Sequence, residues 1–189
     1  MIHDKKNLRR SLLSQRQTLT SEDWQNRSEA IVQHLRTTSI VQGAKTILAY
    51  FSIRQEPDLT SLFNLDKQWG FPLTVGKELK WYPWRIGEPL IPGEYGIPTP
   101  ANQPVALVPN QVDLILIPAV GIDRLGYRLG YGGGFYDRLL SNPQWQRIPT
   151  LGIVFEFAQL PALPVDPWDR PLDGWCSENG IFLKIPSDA

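Results

Sequence analysis

The segment Pro118–Leu140, PAVGIDRLGYRLGYGGGFYDRLL, gathers the residues best suited to chemistry in this chain. Gly130, Gly132, Gly133 and Gly134 carry no side chains, so their peptide N–H groups can approach an anion closely. Arg128 adds a full positive charge, and a helix starting just after the glycines would add free N–H groups and a positive dipole end. Together these are what a polyphosphate requires. The turn matches neither common phosphate loop: Phe135 stands where GxGxxG needs its last glycine, and no GK[ST] follows. The plainer alternative is a strand-to-helix connection that uses glycines only for tight backbone geometry.

Other candidates are scattered along the chain. Lys5, Lys6, Arg9, Arg10 and Arg16 crowd the amino-terminal segment, either as a solvated helix face or as a hand for phosphates. Lys5 and Arg9 are four residues apart and share one helical face. Glu56 precedes Pro57 and reads either as an exposed loop carboxylate or as a ligand contact. Read without context, Asp137 is a helix-start acid and Asp169 a turn residue in DPWDRP. The lone Cys176 excludes an intramolecular disulfide, fits a reducing compartment, and reads as a semi-buried thiol. His3 and His34 fall in helical segments away from these residues, and no His/Cys pattern suggests zinc. Trp81, Trp84, Trp145, Trp168 and Trp175 read as structural.

These residues need elements to position them. Asp4 can cap a helix to about Leu19 with an apolar stripe of Leu8, Leu12 and Leu13; Thr20 or Ser21 caps a second that carries Trp24, Ala30, Ile31 and Leu35. Gly43 breaks the pattern before a buried strand over 45–51. The spacing predicts a helix over 59–69 ended by Gly70 and Pro72, then short strands over 73–75 and 79–84 joined at Gly76-Lys77. Residues 86–109, rich in Gly and Pro, read as a long functional or mobile loop. Strands over 112–120, 150–155 and 181–185 and a helix over 135–140 complete the set. Buried apolar strands alternating with helices imply an α/β fold: a three-layer sandwich with a mostly parallel, Rossmann-like open sheet and helices on both faces. With no repeat and no linker, residues 1–189 read as a single domain. Its carboxyl strand ends are where ligands bind, which puts the glycine turn in the right place.

Composition narrows the function classes. The 19 basic side chains balance 19 acidic ones, so no basic excess supports non-specific nucleic-acid binding. No apolar run suits a secretory signal or a membrane span, so a cytoplasmic protein without membrane or nucleic-acid partners, acting as a monomer, is expected.

The run Asp123-x-x-Gly126-x-Arg128-Leu129-Gly130-x-Gly132-Gly133-Gly134-Phe135-Tyr136-Asp137-Arg138 resembles the signature of the 5-formyltetrahydrofolate cyclo-ligase (methenyltetrahydrofolate synthetase) family. Lys5-x-x-Leu8-Arg9 is similar to the family's amino-terminal basic motif. Residues 50–59 (YFSIRQEPDL) are similar to its first strand and the acid that follows. Residues 95–100 (YGIPTP) resemble its central loop, with Thr99 where the family commonly shows an acidic or amide residue. The resemblance covers most of the chain. It implies ATP-dependent conversion of 5-formyltetrahydrofolate to 5,10-methenyltetrahydrofolate: ATP phosphorylates the formyl oxygen, N10 attacks the carbon, and phosphate departs. ATP and the folate are then the partners and Mg2+ the cofactor. It implies that Lys5 and Arg9 contact ATP phosphates, with Arg128 and the amides of Gly130, Tyr131, Gly132, Gly133 and Gly134 holding the triphosphate. Arg128 and Lys5 become the catalytic candidates, and Leu129, Phe135, Tyr136 and Asp137 complete the ATP-binding stretch. Asp137 and Asp169 match magnesium-binding acids, Glu56 a folate contact, and Tyr95 and Tyr136 are candidates for flat contacts with the folate rings.

Two other readings remain. A phosphosugar isomerase or acyl-carrier transferase on a related sheet would use Glu56 or Asp123 for proton abstraction and would not require the basic helix. A non-catalytic nucleotide- or folate-binding module would bind both ligands without turnover.

Overall fold

The computed structural model describes residues 4–103 and 105–184. In chain order the elements are α1 (Lys5–Gln17), α2 (Ser21–Thr37), α3 (Ser39–Gly43), β1 (Thr46–Leu48), β2 (Gln68–Val75), β3 (Glu78–Trp84), β4 (Leu90–Pro92), β5 (Pro98–Pro100), β6 (Leu114–Pro118), β7 (Gly121–Asp123), β8 (Arg128–Leu129), α4 (Phe135–Ser141), β9 (Thr150–Ile153), β10 (Gln159–Leu160), β11 (Gly174–Ser177) and β12 (Gly180–Leu183). The caps are those the sequence offered. Asp4 accepts from the Lys6 amide at 3.2 Å, and the Thr20 hydroxyl accepts from the Asp23 amide at 3.1 Å. Glu22 and Asp23 in the first turn of α2 then face its positive end.

Seven strands form one sheet in the order β12-β11-β9-β6-β1-β2-β3. The β11–β9, β9–β6, β6–β1 and β1–β2 pairs are parallel, and antiparallel β12 and β3 close the two edges. Side chains alternate across this sheet. Ile47, Leu114, Leu116, Leu151, Ile153 and Cys176 face one layer with Ile31, Val32 and Leu35 of α2 and Val41 of α3. Leu48, Ile115, Ile117 and Trp175 face the other, with Leu12 of α1 and Leu139 and Leu140 of α4. The result is the expected three-layer α/β sandwich. Each side chain buried as completely as Leu116 or Ile117, at 0% exposure, contributes about 1.5–3 kcal/mol.

One element departs from expectation. Residues 59–69 are not a long helix: a single 3-10 turn, Thr60–Asn64, is followed by β2, which starts at Gln68. Gly70 and Pro72 lie inside that strand rather than ending a helix. A Cβ on Gly70 would sit 2.5 Å from Leu48 Cδ2 and 2.6 Å from Leu107 Cδ1, so glycine here permits close packing rather than a stop. Pro72 is tolerated because β1 pairs with β2 only as far as Leu48–Gly70, leaving no ladder bond for it to donate. Tight packing, not turn chemistry, explains both residues.

Smaller differences concern extent. The 86–109 segment contains a short hairpin, β4 with β5, and β7, β8 and β10 form a three-stranded sheet beside the glycine turn. The last strand is Gly180–Leu183, and Ile185 and His3 lie outside the described residues. His34 lies in α2, its Nε2 3.1 Å from the Glu178 carbonyl, and has no part in the cleft. Cys176 is fully buried, and burial pushes its thiol up to about 12.

The sheet order places the site. From β1 the chain runs to β2 on one side, while β6, β9 and β11 build outward on the other. The crevice outside the carboxyl ends of β1 and β6 is therefore the switch point of an open sheet. Among the described residues, no helix is long and apolar enough to cross a membrane.

Candidate active site

A cleft of about 850 Å3 opens there. Its walls are α1, the loop following β1, the β4–β5 hairpin, the glycine turn with α4, and the loop around Asp166–Asp169. The sequence candidates Lys5, Arg9, Glu56, Tyr95, Arg128, Leu129, Gly130, Tyr131, Gly132, Gly133, Gly134, Phe135, Tyr136, Asp137 and Asp169 all line it.

The turn is shaped from below by a structural part of the signature. Asp123, 1% exposed, accepts through Oδ1 from the Leu125 and Tyr127 amides and through Oδ2 from the Leu163 amide, each at 3.0 Å. Gly126 takes φ 84°, and a Cβ there would fall 2.4 Å from the Leu172 carbonyl oxygen. Asp123 and Gly126 thus fold the β7–β8 hairpin that presents Arg128. Asp123 does not line the cleft, which removes it as a proton-abstracting base and corrects that alternative.

Above the hairpin, Gly132 has φ 103° and Gly134 has φ 66°, conformations that side-chain-bearing residues avoid. No N–H of Gly132, Gly133 or Gly134 donates to another described residue. The turn's carbonyls, by contrast, are held: Arg9 Nε donates to the Gly130 oxygen at 2.6 Å and Arg138 Nη2 to the Gly133 oxygen at 2.9 Å. Two guanidiniums fix the backbone while its amides stay free. α4 spans only Phe135–Ser141, so these free amides, more than a long helix dipole, are what the turn offers to an anion.

The cations around the turn are matched by acids. Lys5 Nζ donates to Asp166 Oδ2 and Asp169 Oδ2, both at 2.5 Å. Burial pulls the Lys5 ammonium down, but the hydrogen bonds and charges of the two carboxylates outweigh it and leave it raised. Arg128 Nη2 donates to Asp137 Oδ1 at 2.7 Å and Nη1 to the Arg170 carbonyl at 2.7 Å, with the guanidinium 5.9 Å from the Tyr136 ring. No group of three or more His, Cys, Asp or Glu side chains able to hold a metal exists among the described residues. Asp137 and Asp169 are instead single hard-oxygen donors on one cleft. That arrangement fits magnesium, which keeps waters and leans on substrate phosphates.

Glu56 is 2% exposed. Arg54 and Gln55 both take left-handed φ values, 48° and 56°, and curl the chain so that the Glu56 amide donates to the Ile53 carbonyl at 2.9 Å. The Ile53 amide returns a bond to Glu56 Oε2 at 3.1 Å. Burial raises the Glu56 pKa, opposed by the Ile53 amide, Arg16, Tyr131 and Arg54. Tyr136 lies under Arg128 with its ring 6.4 Å from Trp81, and burial raises its phenol. Tyr95 sits at the tip of the β4–β5 hairpin, 71% exposed with φ 59°, its ring 6.4 Å from Phe135. Thr99 is 2% exposed and gives its hydroxyl to the Ile97 carbonyl at 3.4 Å.

Three cleft residues escaped the sequence, and a fourth residue, Arg16, was singled out only as part of the basic cluster and is not among those lining the cleft. Arg16 belongs to the same face of α1 as Lys5 and Arg9, a regularity visible in the spacing 5, 9, 16, and is 4% exposed. Arg54 is held by a backbone conformation that no local pattern signals. Arg138, the last residue of the quoted signature, clamps the turn through Gly133 and through the Lys77 carbonyl at 2.7 Å. Trp168 is not structural: it is 62% exposed and lines the cleft between Asp166 and Asp169. Exposed tryptophan flanked by acids that bind a cleft cation was the available signal.

Residues 1–178 match the model of the 5-formyltetrahydrofolate cyclo-ligase family. A 5-formyltetrahydrofolate cyclo-ligase of Haemophilus influenzae is 30% identical over 165 residues, covering 83% of this chain and 88% of that protein. One of Escherichia coli is 28% identical over 178 residues, 88% of this chain and 96% of that protein. The solved structure of Aquifex aeolicus 5,10-methenyltetrahydrofolate synthetase superposes with TM-score 0.86 at 31% identity, covering 98% of this chain and 95% of that one. A 5,10-methenyltetrahydrofolate synthetase from Mycoplasma pneumoniae gives TM-score 0.75 at 25% identity, over 93% and 99% of the respective chains. With the glycine turn, its fixing guanidiniums and the buried Glu56 set on this fold, the chain is an enzyme of the 5-formyltetrahydrofolate cyclo-ligase family.

Proposed function

We propose that this enzyme closes the ring of 5-formyltetrahydrofolate to 5,10-methenyltetrahydrofolate at the expense of ATP. The observation that carries the ATP part is the triplet of unengaged amides at Gly132, Gly133 and Gly134 beside Arg9 and Arg128. A formamide oxygen is a poor leaving group. Transfer of the γ-phosphoryl group to that oxygen releases ADP and turns it into a good one. N10 then forms a bond to the formyl carbon, the C–O bond breaks with release of phosphate, and the N10 proton goes to solvent.

The chain's task is to position two substrates and stabilise charge on the moving phosphoryl group. The free amides hold phosphate oxygens. Lys5 and Arg128 exchange their carboxylate partners for phosphate, which releases Asp169 and Asp137. Those two acids would hold magnesium, which supplies charge neutralisation between phosphate oxygens when bound. Arg9 and Arg138 keep the turn's carbonyls pinned. Glu56, ionised, accepts from the donors of the pterin edge, and Tyr95 and Tyr136 offer ring faces to the folate.

Incubating purified protein with 5-formyltetrahydrofolate and Mg-ATP is expected to give the near-ultraviolet absorbance of the methenyl product. Omitting either ATP or magnesium is expected to abolish it. Full turnover without nucleotide would refute the phosphorylation route.

A further inference from the structure

Arg16 is the most enclosed cation of the cleft region, 4% exposed in the last turn of α1. A guanidinium taken so far out of water needs its donors used and its charge matched. Only part of that need is met. Arg16 Nη2 donates to the Tyr131 hydroxyl, while buried Nε has no partner among the described residues. The Arg16 guanidinium also lies 5.6 Å from the Tyr131 ring centroid, and Arg54 lies at the same 5.6 Å from that ring. The buried anion of this region is Glu56. No direct ion pair joins Glu56 to Arg16 or Arg54 among the described residues. Tyr131 and Glu56 line the same cleft, and burial and then the neighbouring Glu56 carboxylate push the Tyr131 phenol up, so the residue that takes the Arg16 guanidinium also borders that carboxylate. The Ile53 amide engages Oε2 of that carboxylate.

We propose that Arg16 is a positioning residue for folate recognition: through the Tyr131 hydroxyl and ring it orients Glu56 and keeps it an acceptor for the pterin edge. This rests on the reading that Glu56 contacts the folate. It also moves Tyr131 from the triphosphate side of the cleft, where its place in the glycine run put it, to the folate side. The geometry gives a reason. The residue is flanked by the glycines proposed to receive the phosphates, while its side chain lies against Arg16 of α1 and Arg54 of the loop following β1.

The groups facing Glu56 come from each packed element. They are Arg16 from α1, Tyr50 and Arg54 with the Ile53 amide from the segment after β1, Tyr131 from the glycine turn and Tyr136 from α4. Burial favours the neutral acid, whereas Arg16, Arg54 and the donated hydrogen bonds favour the carboxylate. Losing Arg16 or the Tyr131 hydroxyl therefore moves the protonation of Glu56 to higher pH. The acid limb of kcat/KM for the folate must follow it upward.

Tyr131→Phe deletes one oxygen and keeps the ring. It is expected to raise KM for 5-formyltetrahydrofolate about tenfold, the effect of one hydrogen bond in a charged network. KM for ATP should stay within about twofold and the acid limb should shift up. Arg16→Met is expected to do the same more strongly, while Arg16→Lys, which keeps the charge and loses the planar fork, returns the acid limb toward its original position. Since deleting a buried cation can unfold a chain, Tyr131→Phe decides the matter if Arg16→Met is insoluble. A rise in KM for ATP without one for the folate, or an acid limb unmoved in Tyr131→Phe, overturns the proposal. Glu56→Gln separates this from the reading beneath it. If Glu56→Gln leaves the folate KM unchanged, the pterin assignment falls. The network is then judged by the Glu56 carboxyl titration in 13C NMR, which must still move to higher pH in Tyr131→Phe.

Discussion

Arg128 reaches Asp137 with one terminal nitrogen and the Arg170 carbonyl with the other, both at 2.7 Å, so its fork is spread across two elements. Its role depends on planar geometry as much as on charge. Arg128→Ala is expected to raise KM for ATP about 10–100-fold, the worth of charge-assisted hydrogen bonds to phosphate, with KM for the folate changed little. Steady-state kinetics with each substrate varied checks it, and equal loss of both affinities would contradict the assignment. Arg128→Lys is expected to recover less than half of the loss in binding free energy, because a point charge cannot span both partners. At this scale much was legible. Glycines, an arginine and two helix-face cations are the residue types that phosphate chemistry needs, and the structure brings them to one cleft at a strand end. What stayed hidden was which cations turn inward. Lys6 and Arg10 are exposed while Lys5, Arg9 and Arg16 face the cleft side, and only the docking of Leu12 into the core fixes that rotation. The acids that clasp Lys5 lie more than 160 residues away, beyond any local pattern.

The elements differ in what their glycines do. At Gly132 a Cβ would meet nothing closer than the Arg9 guanidinium at 3.8 Å, but φ is 103°. Gly132→Ala therefore strains the turn by about 1–3 kcal/mol and tilts its amides. A several-fold rise in KM for ATP with a small drop in Tm is the expected pattern. At Gly70 the conformation is ordinary and the space is absent, since an added Cβ would meet the Leu48 and Leu107 methyls within 2.6 Å. Gly70→Ala is expected to lower stability by about 1–3 kcal/mol through overpacking while both KM values hold. Denaturant midpoints and kinetics measured on the same preparations distinguish the two. The same contrast explains the mistaken helix over 59–69. Gly70 and Pro72 look like punctuation in a sequence, but whether a glycine ends an element or admits a neighbour depends on Leu48 and Leu107, which the local sequence cannot supply. The strands 46–48, 114–118 and 150–153 were readable because burial on both faces leaves an unbroken apolar run. The two-residue strands β8 and β10 carry no such run.

Across the whole molecule, equal numbers of acids and bases hide a local imbalance that is resolved inside the cleft. Lys5, from the first helix, is held by a loop near the other end of the chain, so this ion pair ties two walls of the cleft together. In the proposed reaction Mg-ATP takes over these contacts, and binding to the folded state alone raises stability by mass action. At a hundredfold excess over Kd the gain is about 2.7 kcal/mol, a rise in Tm of about 5–11 °C for a chain of this size. Lys5→Ala is expected to remove much of the ATP-induced rise while leaving a folate-induced rise intact. Differential scanning fluorimetry with each ligand separately measures both. The two-layer burial on either face of the sheet, and the switch point between β1 and β6, explain why residues from so many elements converge on one crevice.

The central claim is that the bare amides of the glycine turn receive the triphosphate. Backbone 15N–1H spectra of the protein titrated with Mg-ATP test it most directly. The account predicts that the Gly132, Gly133 and Gly134 resonances shift in step with nucleotide occupancy, ahead of any added folate. Saturable ATP binding that leaves those three resonances in place would contradict it.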